Sequence, residues 1–352
     1  MAPANSPHSM RILVPPALSP LAIAGREPDA PVESLSGHTM GTSWSARLVA
    51  PPALGLSLPD IEAAIQYRLD EVIAQMSHWE EHSLLCRYNT AAPGSWHELP
   101  TPFRTVLKCA RQIAEQTSGA FDPTIGALVD LWGFGPAPAR SEPPAQTEID
   151  AALASGGWQK LEFDISGRSI LQPGGLRLDF SGIAKGFAVD HVADALQHLG
   201  LRHFLVEIGG ELRGEGVKPD ASPWWVAIER PAYFSRISSN TPGGLTETRV
   251  ALYGLSIATS GDYRRWFESN GRHFSHTLDP RTGWPIDNGV ISATVLHPSC
   301  MLADAWATAL TVLGADAALA AADKHKIAAY LIRRTGDGVE ELLSPALREM
   351  LD

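Results

Sequence analysis

Apolar residues recur at three- and four-residue spacing in two early stretches. Ile61, Ile65, Leu69, Val72, Ile73 and Met76 predict a helix from about Asp60 to Met76. Phe103, Val106, Leu107, Ala110 and Ile113 form a second stripe, with Thr101 placed as N-cap, Pro102 in the first turn and Gly119 as the stop. A third helical pattern begins near Ala184 and runs through Phe187, Val192, Leu196 and Leu199 to Gly200. Two more are expected at 301–313, closed by Gly314, and at about 315–324. HFLVEI (203–208), WWVAIE (224–229), ISATVLH (291–297) and IAAYLI (327–332) read as strands. A Pro-rich loop is expected at 133–150 and a polar loop at 236–247.

Helical and strand patterns do not alternate strictly, which disfavours a doubly wound sheet. An α+β fold fits, with mixed and antiparallel sheets flanked by helices. No internal repeat is visible. Residues 1–35, rich in Pro, Ala and Ser, read as a flexible leader. Residues 36–335 form the main domain, with room for two intertwined subdomains, and 336–352 read as a C-terminal tail.

Composition narrows the function. The 352 residues are 44% hydrophobic and 19% charged, with a net charge of −11. That balance argues against nucleic-acid binding, which wants a basic face. An anionic ligand would need a metal, a helix N-terminus or a placed Lys or Arg. Cys86, Cys109 and Cys300 lie far apart and make neither a CxxC nor a zinc spacing. No stretch is long and apolar enough for a stable membrane span. Residues 11–25 begin with an arginine and end in small residues, as signal peptides do, but Pro15, Pro16 and Pro20 break the run. No cysteine near the start could carry a lipid, so a cytoplasmic location is expected over a periplasmic one.

Four stretches carry candidate chemistry. In LDFSGIAKGFAVD (178–190), Leu178 and Phe180 flank Asp179 as in a strand, and Ser181–Gly186 turns into a helix. Amides at such a turn attract anions, glycines let a ligand approach, and Lys185 adds a charge. A tight turn whose lysine caps a neighbouring carboxylate reads equally well. In ADAWATALTVLG (303–314), Asp304 and Thr308 share one helix face. Mg²⁺ takes oxygen ligands of this kind, but the pair also reads as an exposed Asp and a Thr bonded back to its helix. IATSGDYRRWF (257–267) and HFSHTLDPRTGWP (273–285) carry turn residues around His276, a general base or a structural histidine. GAFDPTIGALVDLWGFGP (119–136) supplies aromatic surface suited to a flat ring system or to a core.

In chain order, HTMGTSWSARL (38–48), MSHWEEHSLLCRYN (76–89), GAFDPTIGALVDLWGF (119–134), LDFSGIAKGFAVD, EIGGELRGEG (207–216), ATSGDYRRWF (258–267), HTLDPRTGWP (276–285) and ADAWATAL (303–310) together resemble the ApbE family, the FAD:protein FMN transferases. The resemblance implies Mg²⁺-dependent transfer of FMN from FAD to a Thr or Ser hydroxyl, with release of AMP. The acceptor would be a protein of an electron-transfer system, with an Asp-x-x-Thr-like motif. It implies an FAD site lined by Met40, Trp79, Ala120, Phe121, Asp122, Asp179, Lys185 and Leu278. Gly182, through its carbonyl, would join Asp304 and Thr308 as a metal ligand, and His276 would be the base. Position 79 is Trp where the family usually has Tyr, and an indole N–H can only donate. An FAD pyrophosphatase, giving FMN and AMP, and a non-catalytic FAD-binding protein are the alternatives. Asp304→Ala is expected to abolish transfer while leaving the fold largely intact.

Overall fold

Helix α1 (Leu58–Met76) starts where Ser57 accepts a hydrogen bond from the Asp60 amide, and it buries Ile61, Ile65, Leu69, Val72 and Met76. Short α2 (Leu84–Asn89) follows, capped by Ser83. The pattern had not marked α2, because six residues are too few to show a helical period. Helix α3 (Thr101–Gln116) buries the expected stripe, but its N-cap is Pro100 and Thr101 is already helical. Helices α4 (Gly126–Leu131) and α5 (Gln146–Ser155) bracket the Pro-rich stretch, whose last residues are therefore helical. Helices α6 (Ala184–His198), α7 (Cys300–Leu313), α8 (Ala315–His325) and α9 (Pro345–Arg348) follow.

The computed structural model describes residues 10–17, 20, 23–230, 247–263, 265–336 and 338–351. The polar loop expected at 236–247 lies outside them except for Glu247, as does part of the leader.

The strands, in chain order, are β1 (Arg11–Leu13), β2 (Val32–Thr39), β3 (Thr42–Val49), β4 (Ser95–Glu98), β5 (Ser169–Gln172), β6 (Phe204–Ile208), β7 (Glu211–Glu215), β8 (Trp224–Ala227), β9 (Thr248–Leu252), β10 (Leu255–Gly261), β11 (Trp266–Ser269), β12 (Arg272–Ser275), β13 (Val290–His297), β14 (Ala328–Thr335) and β15 (Gly338–Leu343). Among the described residues the largest sheet has eight strands in the order β15-β14-β13-β10-β7-β6-β3-β2. Every pairing in it is antiparallel. The small sheet β1-β9-β8 adds a parallel pair between β1 and β9. The fold is the α+β arrangement expected.

Alternation along β14 shows how the layers are built. Ala329 and Leu331 face the main core, shared with α1, α3, α6 and α7, while Tyr330 and Ile332 face a second core. That second core includes Leu13, Trp224, Val250, Leu252, Leu347 and Met350. Described residues near both ends of the sequence are thus drawn in. Leu13 of the expected leader is fully buried beside β9, and the expected tail supplies an edge strand and α9. Apolar residues too few to show a period still seal an otherwise open sheet face.

Candidate active site

One end of the large sheet carries the β2–β3 turn, the β6–β7 turn and the end of β10 side by side, as the strand register requires. Together with the end of α1, the segment before α4, the turn into α6 and the face of α7, they enclose a cavity of about 460 Å³. That volume lies within the usual range of ligand pockets, roughly 300–1,000 Å³. Every site residue expected from sequence lines it. Met40 stands in the β2–β3 turn with φ 46°, an uncommon conformation for a residue with a side chain. Trp79 is 57% exposed at the mouth. Ala120 and Phe121 are buried in the wall, as is Leu278.

The turn into α6 is held from outside. Asn89, the last residue of α2, donates to the Leu178 carbonyl at 2.9 Å and accepts from the Leu178 amide at 2.7 Å. Its side chain supplies the pair of bonds a neighbouring strand would make. Leu178, Asp179 and Phe180 are all buried and lie in no strand, so the expected alternation is absent. Asp179 accepts from the Ser181 amide at 2.7 Å. Phe180 O receives the amides of Ile183 and Ala184. The turn amides expected to face an anion are therefore largely used within the protein.

Two reciprocal contacts lock α6 to α7. The Gly186 amide, in the first turn of α6, donates to Asp304 Oδ2 at 2.9 Å. Asp190, one turn later, accepts from the Cys300 and Met301 amides at 3.0 Å each, the first turn of α7. Ser299 Oγ also donates to Asp190 at 2.7 Å, and Arg213 joins it from β7 at 2.8 Å. Gly186 makes this crossing possible. A Cβ there would lie 2.3 Å from Cys300 O and 2.7 Å from Asp304 Cβ. The room Gly186 makes is for a helix, not for a ligand. Gly182 is different, since a Cβ there would meet Thr308 Oγ1 at 2.8 Å and the Phe121 ring at 3.3 Å, at the cavity wall.

Lys185 lies between these glycines and lines the cavity, but its ammonium pairs with Glu211 at 2.5 Å. Glu211 is 1% exposed. The lysine thus meets a carboxylate, as one of the two sequence readings held, while remaining in the wall of the cavity. Asp122 also lines it, yet its carboxylate accepts from the Thr124 amide and hydroxyl and from the Trp158 amide. Burial raises its pKa above the ordinary value, against those hydrogen bonds. It shapes the wall.

His276 follows β12. Its Nδ1 lies 3.1 Å from the Arg265 carbonyl, and its amide donates to the same oxygen at 3.0 Å. A carbonyl can only accept, so Nδ1 carries the proton and the neutral ring has its lone pair on Nε2. The hairpin β11–β12 that brings Arg265 and His276 together packs Phe267 and Phe274 against Trp132 and Phe134. Trp132 serves here as core, while Phe121 and Phe134 are buried and also line the cavity.

Sequence reasoning missed several lining residues: Thr42, His78, Ser181, Glu211, Thr259, Ser260 and Arg265. His78 Nδ1 stands 3.7 Å from Asp179 Oδ2. Its place beside Trp79 was the available signal. For Glu211, the signal was a carboxylate opening the strand directly after Gly209 and Gly210.

Among the described residues no cluster of His, Cys, Asp and Glu is suited to a metal. Gly182, Asp304 and Thr308 all line the cavity and offer oxygen donors instead, a carbonyl, a carboxylate and a hydroxyl. A Cβ on Gly182 would meet Thr308 Oγ1 at 2.8 Å, and Asp304 is 5% exposed. That donor set fits a hard divalent cation such as Mg²⁺.

The sequence pattern of the ApbE family matches residues 40–331. The FAD:protein FMN transferase of Vibrio cholerae serotype O1 is 39% identical over 94% of this chain and 96% of its own. That of Haemophilus influenzae is 36% identical over 94% and 95%. The crystal structure of the flavinyl transferase ApbE of Pseudomonas stutzeri, apo form, superposes with a TM-score of 0.82 at 37% identity, covering 91% of this chain and 97% of that one. The flavin transferase ApbE from Vibrio cholerae gives 0.81 at 37% identity, covering 91% and 100%. With the sequence pattern, the fold and the cavity in agreement, the chain belongs to the ApbE family.

Proposed function

We propose that this protein transfers the FMN half of FAD to a threonine or serine hydroxyl of a partner protein and releases AMP. One observation carries the reading: residues from Met40 to Thr308, scattered in sequence, meet in a single cavity that combines an oxygen donor set, a histidine of fixed tautomer and apolar walls. Relatives similar over nine-tenths of the chain are named FAD:protein FMN transferases, which supports transfer of FMN from FAD to a protein.

Trp79 offers a flat face to a ring system at the mouth, and Met40, Ala120, Phe121 and Leu278 give it apolar surroundings. Asp304, Thr308 and the Gly182 carbonyl would hold Mg²⁺. When bound, Mg²⁺ neutralises pyrophosphate charge and polarises the phosphorus under attack. His276 takes the proton of the acceptor hydroxyl through Nε2. The hydroxyl oxygen bonds to the phosphorus of the FMN half. The bond from that phosphorus to the bridging oxygen breaks, and AMP leaves with the electron pair. The acceptor belongs to an electron-transfer system.

Mass spectrometry of a candidate acceptor domain, incubated with the protein, FAD and Mg²⁺, tests the reading. An FMN-sized adduct on a threonine or serine, absent without Mg²⁺ and matched by AMP, is the expected result. Free FMN and AMP without an adduct would replace transfer by hydrolysis. Bound FAD with neither product would leave a carrier.

A further inference from the structure

An acceptor hydroxyl that gives its proton to His276 must come within hydrogen-bond reach of it, so its protein must touch what surrounds that histidine. Those surroundings are set by the chain. His276 is pinned through two hydrogen bonds to the Arg265 carbonyl, and the next residue, Trp266, starts the β11–β12 hairpin.

The two faces of that hairpin differ. Phe267 and Phe274 are cross-strand partners, stacked with centroids 5.1 Å apart and turned toward Trp132. The opposite face carries Trp266, 53% exposed, with the exposed His273 ring at 4.9 Å. A large indole left in solvent on a two-stranded ribbon whose other side is already packed is the kind of residue that anchors interfaces. Arg265 is exposed and lines the cavity, and among the described residues its guanidinium makes no hydrogen bond or ion pair. The other cation in the wall, Lys185, is paired with Glu211.

Resting on the transfer reading above, we propose that Arg265 and the outer face of β11–β12 form the docking surface for the acceptor protein. Arg265 would meet the aspartate that the family resemblance implies near the target hydroxyl, and an apolar side chain of the same partner would cover Trp266.

The test compares wild type, Trp266→Ser and Arg265→Gln on an acceptor domain that the wild-type protein flavinylates. Acceptor KM comes from the rate of adduct formation, and FAD affinity from quenching of flavin fluorescence. Trp266 is outside the cavity, so its variant should bind FAD like wild type while acceptor KM rises about tenfold or more. Arg265→Gln should raise acceptor KM similarly, and an acceptor with its nearby carboxylate changed to the amide should show no further loss with that variant. Unchanged acceptor KM in both variants, with wild-type transfer intact, would overturn the surface alone. Weakened FAD binding with unchanged acceptor KM in Arg265→Gln would assign Arg265 to the nucleotide instead. Absence of any wild-type transfer would overturn the underlying reading and the surface with it.

Discussion

Asp304 has two tasks at one position. Its Oδ2 accepts the Gly186 amide, and the carboxylate belongs to the oxygen set of the cavity. Removing the side chain leaves a buried amide without its acceptor, which costs about 1–3 kcal/mol. Asp304→Ala should therefore be measurably less stable, beyond the sequence expectation of a largely intact fold. Asp304→Asn keeps an acceptor for Gly186 and should unfold in urea near the wild-type midpoint. Both variants should lose Mg²⁺-dependent transfer by about 100-fold or more. Transfer by Asp304→Asn at the wild-type rate would remove the carboxylate from the metal site. Lys185 gives a second contrast. Lys185→Met takes the ammonium away from the buried Glu211 carboxylate, and breaking a buried pair from one side typically costs about 3–5 kcal/mol. A lysine that served only a ligand would leave the urea midpoint of the free protein unchanged.

The elements that position these residues are tied by side chains as much as by packing. His191 on α6 meets Glu71 on α1 at 2.8 Å, and Arg68 joins from the same helix at 3.1 Å. Burial pushes the Glu71 carboxyl up, but the hydrogen bonds from His191 and Arg68 outweigh it and hold the pKa below its ordinary 4.5. Between that lowered value and 4.5 the unfolded chain holds more protons than the folded one. Stability from this group is thus present above 4.5 and lost as pH falls through the folded value. Glu71→Gln should be less stable than wild type at pH 7 by up to about 1 kcal/mol. The gap should close at acid pH, where wild-type Glu71 is itself protonated. Urea unfolding at pH 7 and at successively more acid pH measures both, and a gap that never narrows would show that charge is not what ties α1 to α6.

For the molecule as a whole, protein contacts fix Asp304 and the start of α7, through the Gly186–Asp304 bond and the Asp190 clamp. Chelator alone should leave circular dichroism and the thermal midpoint unchanged. FAD with Mg²⁺ should raise the midpoint more than FAD with chelator, since ligand at 100 times Kd adds about 2.7 kcal/mol. An equal rise in both would mean that the cation does not contribute to holding the dinucleotide. Much of this was legible in sequence, but unevenly. Long amphipathic stretches such as α1 and buried runs such as β14 announced themselves by period. Residues 11–13 and 338–343 did not, because a three-residue strand and an intermediate edge strand carry no pattern apart from their partners. The site was legible through its motifs, and every residue they named lines the cavity. What sequence could not assign was which atom answers which. The room made by Gly186, the saturation of Asp122 and the pairing of Lys185 depend on segments tens of residues away.

The cavity wall runs from Met40 to Val312, and the face that carries Asp304 and Thr308 is the last part of it to be made. During synthesis on the ribosome, the turn into α6 emerges well before α7, so Gly182 waits without Asp304 or Thr308. A chain still short of residue 304 therefore lacks that part of the candidate cavity, and a ligand there would meet the whole wall only once the late helix has joined it.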